Sequence, residues 1–186
     1  TESDVVENGF TEPVDFDYKS YNASSGLNVS NSLQVGEFII RDGGSDNSDV
    51  DILSTILTGI TFSISNNDNI AALAIFDGTT NVAEVTSVTT STSFSGLNLE
   101  ASDPGGTKVF KLYATFKSAV TDNDQLRFTV SNTTTSGSSS AFASSDAGGA
   151  STSISGDDNR IKVTADRLEF TQQPTNVCTS SDISPD

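Results

Sequence analysis

Lys108-Val109-Phe110-Lys111-Leu112-Tyr113-Ala114-Thr115-Phe116-Lys117 is the stretch on which the reading of this chain turns. Phe110, Leu112, Ala114 and Phe116 fall on one side of an extended backbone, and the other positions include the polar alternates Lys111, Tyr113, Thr115 and Lys117. Side chains on a strand alternate between its two faces, so a period of two predicts a half-buried strand with Tyr113 turned outward beside Lys111. The same rhythm spreads outward from here. Leu126, Phe128 and Val130 alternate with Arg127, Thr129 and Ser131, and Ile60, Phe62 and Ile64 alternate with Thr61, Ser63 and Ser65. Leu33 to Ile40, Ile70 to Phe76, Val82 to Val88, Ser93 to Leu99, Ile161 to Ala165 and Leu168 to Phe170 are further strand candidates. No window sustains the i, i+3, i+4, i+7 stripe of an amphipathic helix, although Val50 to Leu57 has room for one short helical turn.

Turn signals punctuate these runs. Asp77-Gly78 lies between two apolar runs and predicts a hairpin, because the pair tolerates positive φ. Asp103-Pro104-Gly105-Gly106 stops the chain before Lys108, and Asp122-Asn123-Asp124 reads as a tight antiparallel connection between the two clearest strands. Roughly nine or ten short strands with regular turns predict an all-β, Ig-like, two-sheet antiparallel β-sandwich. It is expected to occupy residues 1–171, with 131–156 as a Ser/Thr/Gly-rich loop pinned by Phe142. The alternative for that segment is a flexible linker. Residues 172–186 read as a linker leading out of the domain, and the acidic stretch up to Pro13 as a lead-in.

Composition narrows the chemistry. The 186 residues carry 25 acidic and 9 basic side chains, with no His, Met or Trp and one Cys. Leu, Ile, Val and Phe number 46, enough for a substantial core. Without His, the usual zinc sites and His-dependent triads are out. A net charge of −16 argues against nucleic acid, because neutralising phosphates takes clustered Lys and Arg. No apolar run reaches membrane-spanning length, no secretory leader is read, and a start at Thr1 instead of Met suggests a mature or excised segment. Cys178 reads as a small apolar filler in a terminal strand, with a bridge to a segment outside this chain as the alternative. An acidic, nearly Cys-free, Ser/Thr/Asn-rich chain fits a bacterial exterior protein that does without disulfides.

The carboxylates are the candidate ligands. Asp outnumbers Glu by 18 to 7, and the densest run is Arg41-Asp42-Gly43-Gly44-Ser45-Asp46-Asn47-Ser48-Asp49-Val50-Asp51. Calcium takes six to eight oxygens, and a pliable loop bearing Asp42, Asp46, Asp49 and Asp51 has the right donors, though not the spacing of an EF-hand. Asp157, Asp158 and Asn159 form a second calcium candidate, while Asp122 and Asp124 read as a turn. The competing reading is that these acids simply cap turns. Paired carboxylates can serve a glycosidase, but these lie in solvated turns without neighbouring aromatics, so no enzyme is expected. Asn22, Asn28 and Asn132 head N-glycosylation triplets of a kind that arises by chance in such a composition.

Three stretches carry a resemblance. They are Phe38-Ile39-Ile40-Arg41-Asp42-Gly43-Gly44 with Thr55-Ile56-Leu57-Thr58-Gly59-Ile60-Thr61-Phe62; Ala74-Ile75-Phe76-Asp77-Gly78-Thr79-Thr80 with Phe94-Ser95-Gly96-Leu97; and Asp157-Asp158-Asn159-Arg160-Ile161 with Ala165-Asp166-Arg167-Leu168-Glu169-Phe170-Thr171-Gln172-Gln173-Pro174. Together they resemble the long repeat of giant Bacteroidetes cell-surface adhesins of the gliding-motility, type IX secretion kind. The likeness runs from about Asp4 to Pro185. It implies a non-catalytic, extracellular tandem unit on a bacterial cell surface, acting as stalk or surface-contact element. Its partners would be neighbouring repeats of the same polypeptide, and surface glycans or other cell-surface proteins, with calcium as stiffener and no membrane insertion. In that family the Gln-Gln-Pro segment leads into the next unit. The alternative is a carbohydrate-binding module of a secreted protein, for which Tyr113 is the aromatic contact, since only Tyr18, Tyr21 and Tyr113 are present and Trp is absent.

Overall fold

The computed structural model describes residues 2–46 and 50–165. Strand candidate Leu168 to Phe170, the tail 172–186 and Cys178 lie outside the described residues.

The chain is all-β, and from β3 onward its strands lie where the alternation predicts, while β1 and β2 fall in stretches not read as strands. They are β1 (Asp4–Glu7), β2 (Phe16–Asp17), β3 (Leu33–Arg41), β4 (Thr55–Ile64), β5 (Ile70–Asp77), β6 (Thr80–Val85), β7 (Ser91–Ala101), β8 (Thr107–Phe116), β9 (Phe128–Thr135) and β10 (Ile161–Lys162). A five-stranded antiparallel sheet in the order β1-β3-β8-β5-β6 packs on a three-stranded antiparallel sheet in the order β7-β4-β9. A two-residue parallel pair, β10 with β2, sits beside them. Phe38 of β3 meets Phe62 of β4 across the sandwich at 6.1 Å between ring centroids, and Phe94 of β7 meets Phe62 edge-on at 6.2 Å. Leu57, Ile60, Ile64, Leu73, Ile75, Phe110, Leu112 and Phe128 fill the rest of this core.

Several local expectations change. Val50 to Leu57 makes no helical turn: Thr55 to Leu57 already belong to β4, and the nearby single 3-10 turn covers Gly44–Asp46. The N-terminal stretch is not merely a lead-in, since Asp4 to Glu7 pair with Arg41 to Phe38. Asp122-Asn123-Asp124 does not join a hairpin, because β8 and β9 lie in different sheets and the connection crosses between them. Local turn chemistry cannot distinguish those two outcomes. Asp77 does open a hairpin, pairing with Thr80 around a two-residue loop in which Gly78 takes φ 61°.

The decisive strand is buried more deeply than its pattern suggests. From Leu112 to Phe116 every residue of β8 is buried, Tyr113 included. A second small cluster of Leu27, Ala72, Ala74, Phe76 and Tyr113 covers the outer face of the five-stranded sheet. Glu84 on β6 holds its lid: the Gly26 and Leu27 N–H groups donate to the two carboxylate oxygens, each at 2.8 Å. The Asn81 side-chain amide adds a bond to the Leu27 carbonyl at 3.0 Å. This is why Ile70 to Phe76 reads as a nearly unbroken apolar run, as expected of a strand covered on both faces.

Tyr113 packs its ring 4.5 Å from that of Phe76, and its hydroxyl donates to Gln34 at 3.4 Å. Burial, aided by the negative charge of Glu37, raises its pKa above the ordinary value of 10.0. A folded-state pKa above the unfolded one gives stability that is complete below the unfolded value and is lost as pH rises through the folded one. Urea midpoints are therefore expected to fall more steeply between pH 9 and 11 for the unaltered chain than for Tyr113→Phe. Parallel slopes for the two proteins would show that the phenol titrates alike folded and unfolded.

Candidate functional site

The acidic loop begins at one pole of the sandwich, where β1 starts, β3 ends and β8 begins. Asp42 does not face solvent. It is 0% exposed, and its carboxylate accepts from the Thr55 hydroxyl at 2.6 Å and from the Gly105 N–H at 3.3 Å. Thr55 has a single hydroxyl proton, and Asp42 takes it, so the 2.5 Å contact between Ser3 Oγ and Thr55 Oγ1 has Ser3 as donor. Ser3, Thr55 and Asp42 thus form a fully buried relay linking the N-terminal segment, the first residue of β4 and the end of β3. Beside it, Arg41 Nε and Nη2 grip the two carboxylate oxygens of Asp4 at 2.7 and 2.5 Å. Those hydrogen bonds raise the Arg41 pKa above its ordinary value.

The other predicted ligands are spread about. Asp46 is exposed and accepts from Ser45 at 3.3 Å, and Asp49 lies outside the described residues. Asp51 accepts from the Ser140 hydroxyl at 3.0 Å and from the Leu53 N–H at 2.8 Å. Asp157, Asp158 and Asn159 sit at the opposite pole, where β4 ends and β9 begins. Asp157 pairs with Arg160 at 3.3 Å, and Asp158 accepts from Ser153 at 2.7 Å. Asn159, fully buried at φ 50°, donates its amide to the Val35 carbonyl at 2.9 Å. Among the described residues no three acidic or Cys side chains come together as a cation cage. Asp42, Asp51, Asp157 and Asp158 are each engaged by the chain's own donors.

Asp46, Asp157 and Asp158 act within their own loops, as turn-capping acids do, whereas Asp42 and Asp51 also tie their loop to distant segments. Sequence reasoning grouped them by spacing. It missed that Thr55 and Ser3, respectively 13 and 39 positions from Asp42, complete the strongest cluster, because that contact spans two sheets. The presence of Asp at the end of an apolar run, where a strand terminus is buried, is the one signal that was available.

The aromatic contact named for the carbohydrate-binding alternative is covered. Tyr113 is a buried core residue, not an outward sugar contact, and Tyr18 is also buried. A polar groove of about 640 Å³ opens between β7 and the start of β8, lined by Leu97, Glu100, Asp77 and Lys108, with the last two in a 2.9 Å ion pair.

The chain matches no family model, no curated protein and no solved structure.

Proposed function

We propose that this chain is a non-catalytic structural module, a stiff unit of an extracellular bacterial adhesin that works in a head-to-tail string. The observation that carries the reading is the placement of its first and last described strands. β1 starts at the pole holding Arg41 and Thr107, since Asp4 pairs with Arg41 and Arg41 with Thr107. β10 lies at the other pole: Ile161 exchanges backbone hydrogen bonds with Asn123 and Asp124 in the turn that follows β8. The first and last described strands therefore lie at opposite poles of the sandwich. In this reading a string of such units extends along the strand axis. The resemblance quoted above supports the same arrangement, and no helix among the described residues is long and apolar enough to cross a membrane.

Stiffness in this reading comes from the Ser3–Thr55–Asp42 relay and the Arg41–Asp4 pair. A tandem of three copies tests it by solution scattering. The longest strand, β7, has 11 residues and spans roughly 37 Å. Each added copy is expected to lengthen the particle by about 40 Å, and copies that cluster into a compact particle would refute the string. Melts of the single chain in millimolar Ca²⁺ and in chelator are expected to coincide. An ion at ten times its dissociation constant adds about 1.4 kcal/mol, which is roughly 3–6 °C here, so such a rise would restore calcium to the acidic loop.

A further inference from the structure

The segment after β9 closes one side of the sandwich as a strap, residues 141–152. On its β1 side the Ser3 N–H donates to the Ala141 carbonyl at 3.0 Å and the Ala143 N–H to the Ser3 carbonyl at 3.0 Å. The Val5 N–H donates to the Ala147 carbonyl at 2.8 Å. On its β9 side Thr133 N–H donates to Ser145, Val130 N–H to Ala150 and Thr152 N–H to Phe128, at 2.7, 2.8 and 3.0 Å. Ala147 within it is fully buried, and Thr152 lies so close to Gly36 that a Cβ there would stand 2.7 Å from the threonine methyl. The strap is thus built into the edge and not draped over it.

Direction is the informative feature. The strap runs parallel to β1, as the Ser3–Phe142 bridge shows, and antiparallel to β9, as the Thr129–Ser151 bridge shows. β1 is reached from one pole, and the strap leads on toward β10 at the other. Two parallel neighbours drawn out through opposite ends slide along each other, so their lateral hydrogen bonds are loaded together. The same bonds pulled from a single end break one after another.

We propose that β1 and the strap form a shear clamp that bears load between the two poles. β1 is the stronger half, because its four residues also pair with β3, and the Arg41–Asp4 pair and the Ser3 relay pin its start. The two-residue β10 lies outside the clamp and peels first as a small event. Rupture of the clamp then frees the chain between Ser3 and Ala147, roughly 50 nm of contour. The clamp is a property of these hydrogen bonds, so it stands or falls separately from the adhesin reading.

Single-molecule stretching of the full chain, held by handles at its two ends, tests it. A second tether, from the N-terminal end to Thr79→Cys in a Cys178→Ser background, places both handles at the pole of the β5–β6 hairpin. Rupture force is expected to be several-fold lower in that second geometry, where β1 peels. Ala143→Pro removes the exposed residue's N–H to Ser3, and at constant end-to-end load it is expected to shorten the lifetime about fivefold. Asn81→Ala, which loosens only the Leu27 lid, is expected to leave that lifetime unchanged. Equal forces in the two tether geometries, or an end-to-end lifetime untouched by Ala143→Pro, would overturn the proposal. The tether comparison decides the matter even where the proline variant does not fold.

Discussion

Phe62→Ala is expected to destabilise the chain by about 3–5 kcal/mol, which is a melting temperature lower by roughly 6–20 °C. Phe62 is 3% exposed and joins two aromatic contacts, one to Phe38 on the facing sheet and one to Phe94 on the neighbouring strand. Truncation removes the ring's transfer free energy and leaves a hole between two sheets that are each stiffened by their own ladders, so little collapse fills it. Phe62→Leu retains most of the apolar volume and is expected to recover more than half of the loss. The check is chemical denaturation of the three proteins with a shared slope. A Phe62→Ala loss below about 1.5 kcal/mol would mean that the sheets relax together and that the aromatic bridge is not what spaces them.

Asp42→Ala is expected to cost about 2–4 kcal/mol, unusually much for a residue in an acidic loop. The carboxylate has no access to solvent, and its removal strands the Thr55 hydroxyl and the Gly105 N–H. Ser3 then loses the acceptor order that the relay imposes, so β1 is expected to loosen as well. Asp42→Asn keeps the shape, but its amide turns a donor toward either Gly105 or Thr55, and about 1–2 kcal/mol is expected to go. Hydrogen exchange gives the sharper readout. Amides of β1 and of the strap are expected to lose protection in both variants before those of β5 and β8 do. Asp46→Ala, exposed in the same loop, is expected to fall within about 0.5 kcal/mol of the unaltered chain. Equal costs at Asp42 and Asp46 would show that the loop acts as a unit, as a shared cation would make it.

The residues that sequence reasoning placed well and those it misplaced differ in the range of the interactions deciding them. The alternation of Phe110, Leu112 and Phe116, of Ile60, Phe62 and Ile64, and of Phe128 and Val130 was enough for an all-β chain with these strands. That pattern is a one-dimensional consequence of extended backbone packed on a single core. The hairpin at Asp77 was equally legible, because positive φ at the following glycine is a local demand. Asp42 and Tyr113 were misjudged for a common reason. Each carries a polar group and is buried by a segment far away: Asp42 by Ser3 and Thr55, Tyr113 by the lid around Leu27.

By itself, then, the order of apolar and polar side chains determined the strands, the class of fold and the large inward-facing core. Tertiary structure alone decided that β8 and β9 lie in different sheets, that Asp42 is an interior anchor and that residues 141–152 close an edge beside β1. Strand formation needs only neighbours within a few positions, whereas these three facts rest on hydrogen bonds between segments 13 to 142 residues apart. Such contacts leave no period in a sequence, because nothing in either segment alone requires the other.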